Sequence, residues 1–271
     1  MIFRMGAPMK NLTLCAILVT ASATHSQTPT PPLDQPRLEF EVASVRLSKP
    51  GQPGFQDIKT HADGAGYTAT YVPVKLMIAY MYRIPARQIE GGPRWLEDDR
   101  YDVEAKADKK YTVDDLNTMY QNMLVDRFHL KFHIETKEAD AYVLTIDKSG
   151  SKMKVNDQPL SYVAPITFKG IGVMNGVRVP MPYFCWLLSQ FLQDDERPVV
   201  DLTHLTGFYD FTLSFLPQNL PQEVHDNLPP EALDRPSIFD ALKEQLGLKL
   251  TAQKGPVQYF VIDHVERPTE N

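Results

Sequence analysis

Tyr209-Asp210-Phe211-Thr212-Leu213 repeats, later in the chain, the pattern of Tyr101-Asp102-Val103-Glu104-Ala105. Both stretches alternate apolar and polar residues, with the acid second. That period of two belongs to a strand with one buried face. Outward from these two stretches, further landmarks recur in the same order. Val72-Pro73 leads into an expected helix, Val74 to Tyr82, and Val179-Pro180-Met181-Pro182 leads into another, Tyr183 to Leu192. Proline suits a first helical turn, where its missing N–H has no partner to lose. Thr112 is positioned to cap a helix running to Asp126, with Asp114 and Asp115 in its first turn and Leu116, Met119, Tyr120, Met123 and Leu124 as its apolar stripe. Ser237 is placed alike before Ile238 to Leu246. Leu130-Lys131-Phe132 matches Leu248-Lys249-Leu250, and Val143 to Asp147 matches Tyr259 to Asp263.

The pattern predicts an α+β fold. Two tandem copies of a helix-strand-strand-helix-strand-strand unit, spanning 38–155 and 156–271, form antiparallel or mixed sheets covered by helices. An N-terminal strand, Phe40 to Val45, and a hairpin with Asp63-Gly64 in its turn precede the first copy. Phe128 to Glu135 and Tyr142 to Asp147 read as separate strands. Leu216 to Arg235, rich in Pro, Asn and Glu, reads as an exposed insertion.

The N-terminus carries an export signature. Arg4 and Lys10 form a basic region, Leu12 to Ala23 a short apolar run, and small residues follow, which predicts cleavage near Ser26/Gln27 and a signal over 1–26. Met9 begins a more compact version of the same signal. Residues 27–37 form a Pro-rich tether. No later stretch is apolar over the ~20 residues a spanning helix needs. The expected location is therefore the periplasm or the medium. Removing 1–26 takes away Arg4 and Lys10 and no acid, moving the formal charge from −6 to −8. An acidic protein is poorly suited to nucleic acid or to anionic lipid. Cys15 leaves with the signal, so Cys185 stands alone in Tyr183-Phe184-Cys185-Trp186-Leu187-Leu188 and reads as a buried core thiol.

Several groups could carry chemistry. Gly91-Gly92-Pro93-Arg94-Trp95-Leu96 offers a close backbone approach and a ring for stacking, or else a tight turn plugged by Trp95. Asp201-Leu202-Thr203-His204 offers an acid–histidine pair, or else a turn whose side chains bond their own backbone. Gly91, Gly92, Trp95, Asp201 and His204 are thus the candidate binding residues. His129 and His133 lie in an alternating stretch, where four positions span roughly 13 Å, too far for one metal ion. Asp194-Asp195-Glu196 lacks the spacing and glycine of a calcium loop. No cofactor and no catalytic residue is expected.

With these segments in view, the chain resembles a large family of secreted "soil-associated" proteins of unknown function, expanded in acidobacteria. FEVASVRLSKP (40–50), QIEGGPRWLEDDRYDVEAKA (88–107), RPVVDLTHLTGFYDFTL (197–213) and the C-terminal segment from Pro236 carry the resemblance. Family members read V-V-D-x-T-G-L-x-G, and His204 stands where the first glycine belongs. If that glycine holds a left-handed turn, His204 carries the strain. Related domains fused to membrane sensor peptidases imply sensing or docking. The expected function is a non-enzymatic extracytoplasmic binding, interaction or sensing module, with an envelope protein or small ligand as partner. A carboxylate-dependent hydrolase of envelope or soil polymers, using Asp99, Asp102, Asp201 and Asp210, and a structural envelope protein are the alternatives.

Overall fold

Alternation and caps build the first half of the chain. The computed structural model describes residues 37–49, 56–158, 165–192, 197–218 and 220–269. The export signal, residues 27–36 of the tether and Asp194-Asp195-Glu196 lie outside the described residues. The first strands are β1 (Val42–Leu47), β2 (Asp57–Thr60) and β3 (Gly66–Val72). Asp63 accepts a hydrogen bond from the Ala65 N–H at 3.0 Å and Gly64 takes φ +72°, which closes the β2–β3 hairpin. Pro73 opens α1 (Val74–Met81); a short 3-10 turn (Ala86–Gln88), β4 (Ile89–Gly91), α2 (Trp95–Asp98) and β5 (Tyr101–Lys106) follow. Thr112 caps α3 (Val113–Phe128) by accepting the Asp115 N–H at 3.1 Å. The whole apolar stripe of α3 is buried. Each such side chain contributes about 1.5–3 kcal/mol relative to exposure.

After α3 the chain runs into β6 (Lys131–Ile146), then β7 (Lys154–Val155), β8 (Ile166–Phe168), β9 (Val173–Val179), α4 (Met181–Phe191), β10 (Val199–Asp201) and β11 (Tyr209–Ser214). The expected insertion is largely exposed but not structureless. It holds α5 (Gln222–Asp226) and α6 (Pro230–Leu233), and the Leu216 N–H donates to Pro236 O at 2.9 Å across its neck. Ser237 caps α7 (Ile238–Ala241), which continues as a π-helical turn, Leu242–Leu246. Gly247 then reverses the chain at φ +67°, where a Cβ would sit 1.9 Å from Gly150 O. Glycine alone fits there. β12 (Leu248–His264) ends the fold.

The fold class is α+β, in three four-stranded sheets. Their orders are β1-β5-β3-β2, β7-β11-β9-β8 and β10-β6-β12-β4. The first two are antiparallel and share one order relative to their own half of the chain. In the third, β6 and β12 are antiparallel, while β10 and β4 add parallel strands on opposite edges.

The structure corrects two expectations. The paired strands expected at the end of each unit are single long strands: β6 runs 16 residues and β12 runs 17. Nothing punctuates 136–141 strongly enough to turn the chain, so the ladder continues. His129 is not on a strand; it is the left-handed cap of α3, at φ +50°. One consequence is architectural. The ribbon of β6 and β12 serves both hydrophobic cores, with Phe260 and Ile262 joining the first and Leu144 the second. The two cores are therefore not the two halves of the chain, and Leu38–Asn271 form one unit.

Candidate functional site

The register of the ribbon creates the site. Phe132 lies opposite Ile262, Ile134 opposite Phe260, Thr136 opposite Gln258 and Glu138 opposite Pro256. Directly opposed residues share a face of the sheet. At one end of this face Phe132, Phe260 and Ile262 pack into the first core, and Phe132 stacks on Phe260 at 4.0 Å. At the other end Tyr142, Leu144, Leu248 and Leu250 pack into the second. The middle is bare. Ile134 is 49% exposed, and Thr136 and Gln258 are exposed as well.

Above this bare stretch lies a cleft of about 600 Å³. Its walls are the segment after α1, the inner side of α4, and β10 with Leu202. The two helices meet across it. Tyr80 makes an edge contact with Trp186 at 5.5 Å, and Arg83, ion-paired with Asp114, lies 5.1 Å over the Tyr183 ring. Ser189 ties β10 to α4, donating to Cys185 O at 2.9 Å and accepting the Val199 N–H at 2.8 Å.

Two residues of the lining each hold one side-chain polar atom that is fully buried and without a partner among the described residues: Gln88 Oε1 and Trp186 Nε1. Gln88 is 7% exposed, and its Nε2 donates to Gln258 O at 2.6 Å. That bond fixes the amide, because a flipped Gln88 would set oxygen against oxygen. An orphaned buried polar atom costs about 1–3 kcal/mol. Cys185, on the same wall, is buried as expected. Burial first, and the Asp201 carboxylate second, push its thiol well above the ordinary range, so it stays protonated and unreactive. Burial likewise pushes Tyr82 up to about 12.

Of the five residues singled out from sequence, only Asp201 lines this cleft. Its Oδ1 accepts from the Thr203 N–H at 2.9 Å and the Thr203 hydroxyl at 2.7 Å, while Thr203 Oγ1 accepts the Leu205 N–H at 3.1 Å. This is a side-chain-stapled turn. His204 sits in it exposed, at φ +57°, the left-handed conformation that a glycine would hold without strain. Gly91 and Gly92, at φ +76° and +77°, pack on β12: a Cβ on Gly91 would stand 3.0 Å from Ile262 O, and one on Gly92 would stand 2.5 Å from a Leu96 methyl. Trp95 is engaged by two neighbours within the protein. Phe128 stacks on it at 6.4 Å, and the Arg267 guanidinium lies 5.1 Å from its ring centre.

The four carboxylates considered for hydrolysis are each held locally. Asp99 pairs with Arg267 at 2.8 Å, Asp102 accepts from Ser48 and the Tyr71 N–H, Asp201 from Thr203, and Asp210 from Asn156 and the Arg178 N–H. His133 pairs with Asp263 at 2.9 Å on the exposed ribbon. Among the described residues no group of three or more His, Cys, Asp or Glu is placed to hold a metal, and no helix is long and apolar enough to cross a membrane. A larger cavity of about 790 Å³ lies in the second core's rim, between Phe168, Ile171, Phe191 and Pro217. Its described lining holds no unpartnered buried polar atom.

Fold and site together define an α+β module with a small cleft built over a two-stranded ribbon. The family model described as "Protein of unknown function (DUF3738)" matches residues 75–265, and the chain belongs to that family. No curated protein and no solved structure matches the chain.

Sequence reading missed Gln88 and Trp186 as site residues. Trp186 sits in an apolar run that announces core, and Gln88 has no neighbour in sequence that marks it. Only the folding of β12 beside β4 gives Gln88 its backbone partner and strands its carbonyl oxygen.

Proposed function

We propose that the protein is an exported, non-enzymatic binding module that holds a small ligand, or a short segment of an envelope partner, in the cleft above Ile134. The observation that carries this reading is the recess itself, about 600 Å³ above the half-exposed Ile134 and walled by α4, β10 and the segment after α1, with Thr136, Asp201 and Gln258 among apolar side chains. Binding pockets have this composition: apolar walls, a few placed polar groups, and a position where packed layers meet. The local engagement of Asp99, Asp102, Asp201 and Asp210 favours binding over carboxylate catalysis. The export signature in 1–26 and the likeness to secreted soil-associated proteins support a periplasmic or extracellular location. The matching strand orders of the two outer sheets support reading the halves as copies of one ancestral unit.

Two experiments test it. Residues 1–40 fused to alkaline phosphatase, which matures only outside the cytoplasm, give active enzyme if the location is right and none if it is wrong. Nile red, an uncharged dye that brightens in apolar pockets, binds the protein saturably. Ile134→Glu abolishes that binding, while Ile171→Glu, in the larger cavity, leaves it intact. The reverse pattern overturns the cleft as the seat. Ile134 is half exposed, so the substitution spares the core.

A further inference from the structure

The ribbon keeps an open edge beside the cleft. β10 covers β6 only at Tyr142, Val143 and Leu144, where the Tyr142 N–H donates to Pro198 O at 2.8 Å and Leu144 O accepts the Leu202 N–H at 2.9 Å. Backbone groups alternate sides along a paired strand. The β6–β12 register runs unbroken from Phe132 to Ile146, so the N–H and C=O of Ile134, Thr136, Glu138 and Asp140 point to the same edge as those of Tyr142. All four residues are exposed, and no hydrogen bond from the described residues reaches these backbone groups. The opposite edge of the ribbon is blunted: Pro256 has no N–H to offer, and Gln258 O accepts the Gln88 amide at 2.6 Å. The edges of the outer sheets are short at β2, β7 and β8, and on β1 the Arg127 guanidinium takes Ala43 O. Side chains on β6 alternate as well, so the same four residues share the cleft face. Ile134 and Thr136 line the cleft. Glu138 and Asp140 follow them along the strand, with no ion-pair partner among the described residues.

Resting on the cleft as the ligand seat, we infer that its occupant is an extended segment of a partner polypeptide, added to β6 as a further strand along 134–140. Donors and acceptors that recur at every second residue match another extended backbone. One apolar side chain of the segment enters the cleft beside Ile134, and a lysine or arginine four residues away meets Glu138. Four positions along a strand return to the same face about 13 Å on, whichever way the segment runs. Strand addition draws affinity from main-chain bonds and selectivity from alternate side chains. A compact apolar ligand would fill the cleft and leave the edge and the two acids idle.

Backbone amide exchange, followed in ¹⁵N–¹H spectra of the full-length protein, reads the edge directly. In the free protein Thr136, Glu138 and Asp140 should exchange fast, and Glu135, Lys137 and Ala139, which face β12, slowly. The probe is a peptide with a central leucine, three threonines on each side and a lysine at both ends, so that a lysine stands four places from the leucine in either direction. It is expected to slow the outward amides about tenfold or more and to leave the inward ones unchanged. Thr136→Pro removes an outward N–H and no bond to β12, as Pro256 does on the other edge. It should weaken the peptide about tenfold while the inward amides stay protected, which shows that the variant is folded. The same peptide N-methylated at every residue keeps its side chains but cannot donate, and should not bind. Glutamates in place of the lysines should weaken binding several-fold at low salt. If the outward amides are already slow in the free protein, if the N-methylated peptide binds as well as its parent, or if the parent leaves these amides fast while Nile red still binds, strand addition is overturned and the cleft survives as a seat. If the glutamate peptide binds equally well, the basic requirement is overturned. If neither the peptide at millimolar concentration nor Nile red binds, the seat falls with it.

Discussion

The Asp210 carboxylate holds the left-handed backbone of Arg178: its Oδ1 accepts the Arg178 N–H at 2.9 Å, with Arg178 at φ +53°. Asp102 does the same for Tyr71, at 2.8 Å and φ +56°. Both bonds sit where the ladder slips, between Ala69 and Val72 in one sheet and beside Tyr209 and Phe211 in the other. A bulge leaves a backbone N–H without a ladder partner, and the acid supplies one. Removing the acid leaves that N–H unsatisfied in a strained conformation. Asp102→Ala and Asp210→Ala are each expected to cost about 1–3 kcal/mol in urea unfolding. Arg178→Gly should recover part of the Asp210→Ala loss, because glycine adopts positive φ freely.

Asp210 also predicts a pH dependence. Partial burial pulls its carboxyl up, but the Arg178 N–H and the Asn156 amide more than offset this, and the net position is below the ordinary range. A carboxyl depressed in the folded state contributes stability above its unfolded pKa of ~3.9, and loses it as pH falls through the lower folded value. Wild type and Asp210→Asn should therefore differ at pH 7 and converge below about pH 4. Unfolding midpoints measured from pH 7 down to pH 3 check this. A gap that persists unchanged at pH 3 would show that the lost stability does not depend on the charge.

How far sequence carried the fold follows from where the signals are local. The Thr112 cap, the α3 stripe, the Asp63-Gly64 hairpin and the strand of Tyr101 are short-range patterns, and each forms as read. The union of the ribbon strands was hidden because residues 136–140 lack a clean alternation on either face. Neither core includes them, and only Lys137 and Ala139 are even half-buried, so burial places little demand on them. The site was hidden for the same reason. Ile134, Gln88 and Trp186 come together only through pairings between strands far apart in the chain. Asp201 was found because its cluster with Thr203 is local, but that clustering reports a turn.

Cys185 tests the burial of the α4 wall. A thiol that burial keeps protonated reacts slowly with any alkylating agent. In native protein at pH 8, iodoacetamide should leave Cys185 unmodified over hours, and in 8 M urea it should modify it fully. Mass spectrometry of the intact chain reads both. Rapid native labelling would mean that α4 opens readily and that the cleft wall is not a fixed surface.

His204 offers the cleanest gain in stability. It is exposed, held at φ +57° by a turn whose bonds come from Asp201 and Thr203 rather than from its own side chain. A non-glycine residue in this region costs roughly 1–2 kcal/mol, against about 0.5–1 kcal/mol of chain entropy that glycine brings to the unfolded state. The balance favours His204→Gly by up to about 1 kcal/mol, read as a higher urea midpoint with an unchanged slope. Cleft binding of Nile red should be unaffected, because His204 does not line the cleft. If His204→Gly instead weakens that binding while raising stability, the imidazole reaches the ligand, and the strain at this position is retained for recognition.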